Sequence, residues 1–101
     1  MDEAALFALL KTTNLPVAYH HFTSPPSPPY MVYLFSYNSN FGADNKVYDA
    51  AKNFQVELYT KTKDLASEKL IEDALNGADV YWEKTEMYIE SEGLYQVLYE
   101  I

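Results

Sequence analysis

The sequence predicts an α+β fold, a mostly antiparallel sheet with two helices on one face in the order α-β-β-β-α-β-β. Three observations lead there. Two segments, near 2–11 and 64–77, combine an Asp cap with apolar residues at helical spacing. Between them lie runs of Tyr, Val, Phe and Leu that alternate or stay apolar over strand length, and turn-forming residues separate those runs. Helices and paired strands in this order pack as a single helical layer on a sheet. At 101 residues, with no internal repeat, the chain is expected to form a single domain, 1–101.

Asp2 precedes Ala4-Ala5-Leu6-Phe7-Ala8-Leu9-Leu10-Lys11, where a capping carboxylate, good helix formers and a terminal lysine predict a short helix. Leu6, Leu9 and Leu10 share one face, and Asn14-Leu15-Pro16 ends it. Val17 to Phe22 is β-branched and aromatic, a first strand. Residues 23–29 hold four prolines and read as a stiff, extended connector. Tyr30 to Phe35 is apolar on both alternating faces, as expected of a central strand covered on both sides. Ser36 to Asn45 is rich in turn formers and predicts a long hairpin loop.

From Lys46 to Thr60 the pattern alternates. Tyr48, Ala50, Phe54, Val56 and Leu58 fall on one side, with Asp49, Asn53, Gln55 and Glu57 on the other, so a long strand solvated on one face is expected. Asp64 then caps a second amphipathic helix that closes at Gly77, with Ala66, Leu70, Ile71, Ala74 and Leu75 as its apolar stripe. Val80 to Tyr88 and Leu94 to Ile101 are two further strands joined through Ile89 to Gly93.

Composition narrows the function. Ten Tyr, five Phe and one Trp accompany no Cys, no Arg and three Gly. Tyrosine is apolar on its ring and polar at its tip, which suits surfaces that pack against other proteins. The absence of Cys rules out disulfides and thiolate chemistry. The net charge is −8, and the seven basic residues are lysines scattered singly. Nucleic-acid binders concentrate Lys and Arg on one face, so no sequence-specific nucleic-acid partner is expected. No apolar stretch approaches the roughly 20 residues of a membrane helix, and Met1-Asp2-Glu3 is acidic where a signal peptide is basic, so no membrane partner is expected and synthesis in the cytoplasm is.

Chemical motifs are sparse. His20-His21 is the only histidine pair, but neighbours on a strand point to opposite faces, so a shared metal ion is not expected. Ser24 near His21 lacks a nucleophile elbow. Glu83, Glu86, Glu90, Glu92 and Glu100 match no ligand-loop spacing and read as a solvated acidic edge. Pro25-Pro26-Ser27-Pro28 fits a P-x-x-P ligand but lies between strands without a flanking Arg, which favours a connector. No catalytic, cofactor or metal residues are assigned, and the chain is not expected to be an enzyme. Ten tyrosines exceed what a small core can hold with every hydroxyl satisfied, which leaves several for an interface.

The runs Leu15 to Phe22, the prolines before Tyr30-Met31-Val32-Tyr33-Leu34, Asn40 to Tyr48, Val56 to Asp64 and Tyr81 to Ile101 resemble small prophage proteins of Gram-positive bacteria, encoded among the head-tail joining and tail genes of long-tailed phages. The resemblance covers nearly the whole chain and extends to tail-completion, or tail-terminator, proteins in size, element order and acidity. It implies a ring, commonly a hexamer, that caps the tail tube and joins it to the head. Homo-oligomeric contact, tail-tube and head-connector partners and a place in the virion follow as expectations.

A ring requires two different patches per subunit. The long strand 46–60 and the C-terminal strand are the expected contacts, with Tyr37, Asn40, Phe41, Asp44, Tyr59 and Tyr99 as interface residues. Two other readings stand beside this one: an acidic monomeric inhibitor or regulator of a host protein, and another minor capsid or head-completion adaptor.

Overall fold

The computed structural model describes residues 1–40 and 50–101. Its elements run α1 (Glu3–Lys11), β1 (Val17–Tyr19), β2 (Tyr30–Asn40), β3 (Ala50–Thr60), α2 (Leu65–Gly77), β4 (Glu83–Ile89) and β5 (Leu94–Glu100). The strands form one sheet in the order β1-β2-β3-β5-β4. Among the described strands only the short β1 pairs in parallel, with Val17 opposite Met31 and Tyr19 opposite Tyr33. β5 lies between β3 and β4 and is antiparallel to both, so the β3-α2-β4 connection is a crossover with β5 slotted into the gap. The α+β class and element order are those the sequence predicts.

Local chemistry accounts for the helices. The Asp2 carboxylate accepts a 2.8 Å bond from the Ala5 N–H, and Asp64 accepts from the Ser67 N–H at 3.0 Å and its hydroxyl at 2.7 Å. Those bonds hold the Asp64 carboxyl below its ordinary range. At the end of α1 the Thr12 and Thr13 hydroxyls donate to the Leu9 and Leu10 carbonyls, occupying acceptors the helix leaves open.

Apolar alternation accounts for the core. Leu6 and Leu10 of α1, Ile71 and Leu75 of α2, Met31 and Tyr33 of β2, Phe54, Val56 and Leu58 of β3, and Val97 and Tyr99 of β5 make one buried cluster. Both helices therefore cover the same face of the sheet. Tyr33 faces Val56 and Met31 faces Leu58, while Val56 faces Tyr99 and Leu58 faces Val97. Three adjacent strands thus present their apolar residues in one phase, which the side-chain period of two requires.

Three expectations about the strands are revised. The first strand stops at Tyr19 because His20 takes φ 68, and the His21 N–H closes a 2.7 Å turn onto the Tyr19 carbonyl. The expected loop from Ser36 is instead a continuation of β2 as far as Asn40; the sheet ladder is made of backbone bonds, so polar residues sustain it once the hairpin has started. Ser36 is left between the paired Phe35 and Tyr37, a bulge that redirects the strand. The last strand pair begins at Glu83 rather than Val80.

The stripe on α2 is also rotated. Its buried side is Ser67, Glu68, Ile71 and Leu75, whereas Leu70 is 45% exposed and Ala66 lies outside. Residues 41–49, which include the expected contacts Phe41 and Asp44 and the strand positions Tyr48 and Asp49, lie outside the described residues.

Leu58→Ala is expected to cost about 3 kcal/mol in denaturant unfolding, as for other fully buried leucines. Leu70→Ala should change stability by no more than about 0.5 kcal/mol. Comparable losses at both positions would contradict this packing.

Candidate interaction surface

The strand edges decide which parts of the backbone can meet another chain. β3 is paired with β2 on one side and, from Gln55 to Thr60, with β5 on the other; β5 is enclosed by β3 and β4. Neither has a free edge over that span, so a contact through either strand there would use a face of the sheet rather than backbone pairing. Among the described residues, the available edges are β4 along its whole length and the β1 side of β2. On that side β1 ends after three residues, and the Tyr19 hydroxyl continues the edge by accepting from the Phe35 N–H at 3.2 Å.

Beyond Phe35 and Phe54 the β2-β3 hairpin leaves the rest of the sheet, since the last bond from β5's end is Ile101 N–H to the Phe54 carbonyl at 3.0 Å. From Phe54 to Ala50 the arm spans about 13 Å at about 3.3 Å per residue. Tyr37, opposite Asn53, and Asn40, opposite Ala50, are on this arm.

Tyr59 lies on the face of the sheet away from the helices. Its ring stacks on Tyr30 at 5.3 Å, and its hydroxyl donates to Glu57 Oε1 at 2.8 Å while accepting from Gln96 Nε2 at 2.9 Å. Gln55 Nε2 donates to the second Glu57 oxygen at 2.7 Å. Burial, then the hydrogen bond to Glu57, raises the Tyr59 hydroxyl to about 12. The Pro-rich connector crosses this face, and an open cleft of about 150 Å³ lies between His21, Phe22 and Pro25 on one side and Tyr30, Val32 and Tyr59 on the other.

Tyr99 has the opposite environment. It is fully buried, packs against Trp82 at 5.6 Å and donates to Glu72 Oε2 at 2.7 Å. Its hydroxyl is raised, first by burial and then by Glu72. As a core residue it is not available to touch a neighbour, a correction that its pairing opposite the inward-facing Val56 and its contacts with Trp82 and Glu72 explain.

A charged network that local sequence patterns do not disclose joins α2 to β4. The Glu68 carboxylate is buried beneath two lysines: Lys84 Nζ donates to Oε1 at 3.0 Å, and Lys63 Nζ lies 2.7 Å from Oε2, close but outside hydrogen-bonding geometry. Lys84 also reaches Glu72 at 2.8 Å, and Lys63 pairs with Glu86. Burial alone pushes the Glu68 carboxyl up; the two ammonium groups outweigh it and hold the group below its ordinary range. The partners are 5 to 23 residues apart in the chain, so only the α2 crossover brings them together.

At the outer end of this region Tyr81 is 78% exposed, and Met87 and Tyr88 are exposed on β4. Tyr81 donates to Glu83 at 2.9 Å. The expected acidic edge is therefore a mixed edge, with lysine and aromatic groups among its carboxylates.

The histidine pair differs from expectation as well. With His20 in the left-handed region the two rings meet, Nδ1 to Nδ1 at 3.2 Å, rather than pointing apart. Among the described residues no group of three or more His, Cys, Asp or Glu is placed to hold a metal ion. No helix among them is long and apolar enough to cross a membrane. Comparison with protein-family models finds no matching family, and comparison with curated proteins finds no match.

Two pH limits follow. Glu68 has a folded pKa below its ordinary 4.5, so its stabilisation is present above about pH 4.5 and is lost as the pH falls through the lower folded value. Tyr59 is raised from 10.0 to about 12, so its contribution is complete below pH 10 and is lost as the pH climbs through about 12. Unfolding free energies measured across pH should show Glu68→Gln flattening the acid limb and Tyr59→Phe the alkaline limb. An unchanged pH profile in either variant would contradict its assignment.

Proposed function

We propose that this protein is a non-enzymatic virion assembly component of a long-tailed phage, acting at the head-tail junction or tail end as one subunit of a ring. The observation that carries the reading is the open sheet, in which, among the described residues, the whole length of β4 is free at one end and the β1 side and β2-β3 arm at the other. Two unlike edges on one subunit are what a closed heterologous ring uses, because each contact joins one patch to a different one. The resemblance of Leu15 to Phe22, Asn40 to Tyr48 and Tyr81 to Ile101 to prophage head-tail joining and tail proteins supports the same reading.

The arm is the part of the chain best placed to reach a tail tube or a connector, since past Phe54 it stands clear of β5. With a charge of −8 on each subunit, the lumen of such a ring would repel passing DNA, which suits a conduit. Partners in this scheme are further copies of the chain, the tail tube and the head connector. An acidic inhibitor of a host protein would instead act as a monomer, and oligomeric state separates the two.

Light scattering over a concentration series, with and without purified tail tubes, tests the proposal. A closed oligomer of about six copies, formed alone or on tubes, is the expected result under the ring geometry. A particle that never exceeds one subunit and ignores tubes would remove the terminator reading.

A further inference from the structure

We propose that the free edge of β4 pairs with β4 of a second copy, antiparallel about a two-fold axis at Thr85, so that the two sheets become one. This does not rest on the ring reading: it is an isologous contact, and it takes for a second copy the β4 edge that a heterologous ring would use.

β4 is exposed from Glu83 through Tyr88, with all its described backbone partners in β5 on one side. Charged side chains on a free edge ordinarily discourage pairing. Here they select a register. A two-fold axis normal to the sheet leaves every residue on its own face, so each allowed register is centred on a single residue. Centred on Lys84, the strand sets lysine against lysine; centred on Glu86, it sets carboxylate against carboxylate. Like charges directly opposite are destabilising. Centred on Met87, Lys84 faces Glu90, which lies in the turn beyond the strand.

Centred on Thr85, Lys84 of each copy faces Glu86 of the other, Glu83 faces Met87, and no like charges meet. The same register places the half-exposed Tyr88 opposite Trp82, which precedes the strand.

The intrachain ion pairs strengthen the case. Within one subunit Lys84 binds Glu68, Glu68 lies against Lys63, and Lys63 pairs with Glu86. Across the axis Glu86 would meet the second copy's lysine at 84. The alternating charges then close into one circuit running through both subunits, and each end of the intrachain series gains the opposite sign it faces.

The chain has no cysteine, so an introduced one reports a single position. Directly opposed residues in an antiparallel pair have Cα atoms about 4.5 to 5.5 Å apart, within the reach of a disulfide. Thr85→Cys is expected to form a covalent dimer on mild oxidation, at concentrations where sedimentation of the parent protein gives twice the subunit mass. Glu83→Cys should not link to itself but should link to Met87→Cys when the two are mixed. Thr85→Lys, at an exposed site, sets two ammonium groups face to face and should weaken the dimer by roughly fivefold, with an unchanged melting profile for the monomer.

Self-linking of Glu83→Cys as fast as Thr85→Cys would overturn the register. A parent protein that stays monomeric, or that forms rings in which Thr85→Cys never links, would overturn the dimer; the rings would still support the assembly reading. A Thr85-linked dimer that never joins tail tubes would do the reverse.

Discussion

Burial of one side of β3 governs the rest of the molecule. Phe54, Val56 and Leu58 lie beneath the two helices, and β3 is the strand on which β2 and β5 both pair. Because side chains alternate along a strand, fixing those three residues inward fixes Gln55, Glu57 and Tyr59 outward. The neighbours must then keep phase, which sets Met31 and Tyr33 of β2 and Val97 and Tyr99 of β5 inward too. A slip of one residue in β3 or β5 would bring Glu57 or Gln96 under the helices, and a buried carboxylate or amide without a partner costs several kcal/mol. One alternation therefore specifies register across the middle of the sheet.

Where the apolar layer ends, charge takes over. The side of α2 facing β4 carries Glu68 and Glu72, and the sheet answers with Lys84 and the Tyr99 hydroxyl while the β3-α2 connection supplies Lys63. A buried carboxylate is poor evidence of added stability, because desolvation offsets much of the attraction. Its effect is on orientation. Turning α2 until Leu70 faced the core would strip Glu68 of both lysines, so the ion pairs determine which apolar residues are buried.

The same division explains the character of the surface. The strong apolar contacts lie in the middle of the sheet, and its ends are left as backbone edges decorated with tyrosine and charge. The left edge is short because His20 turns the chain away after Tyr19. The right edge, β4, is long and has lysine as well as glutamate. Such edges are open to pairing with other chains unless something controls what meets them. The assembly with further copies proposed above would use such edges.

Much of this was legible from local pattern. Asp2 and Asp64 as caps, the alternation at Phe54, Val56 and Leu58, the all-round apolar character of Tyr30 to Phe35 and the turn at Gly93 each express short-range chemistry, and each lies where the sequence places it. Pattern failed where the deciding partner was distant. Nothing near Tyr99 marks it as core rather than contact; its burial comes from Trp82 and Glu72.

Nothing near Leu70 marks it as exposed, because the lysines that turn α2 stand outside the helix, Lys63 just before it and Lys84 beyond its far end. Nor does composition tell which strands end a sheet. The sequence by itself determined the elements, their order and the inward side of the central strands, since those depend on caps and periodicity within a few residues. Only the tertiary structure decided the rotation of α2, the buried place of Tyr99 and the free edge of β4, since those depend on contacts between residues many positions apart.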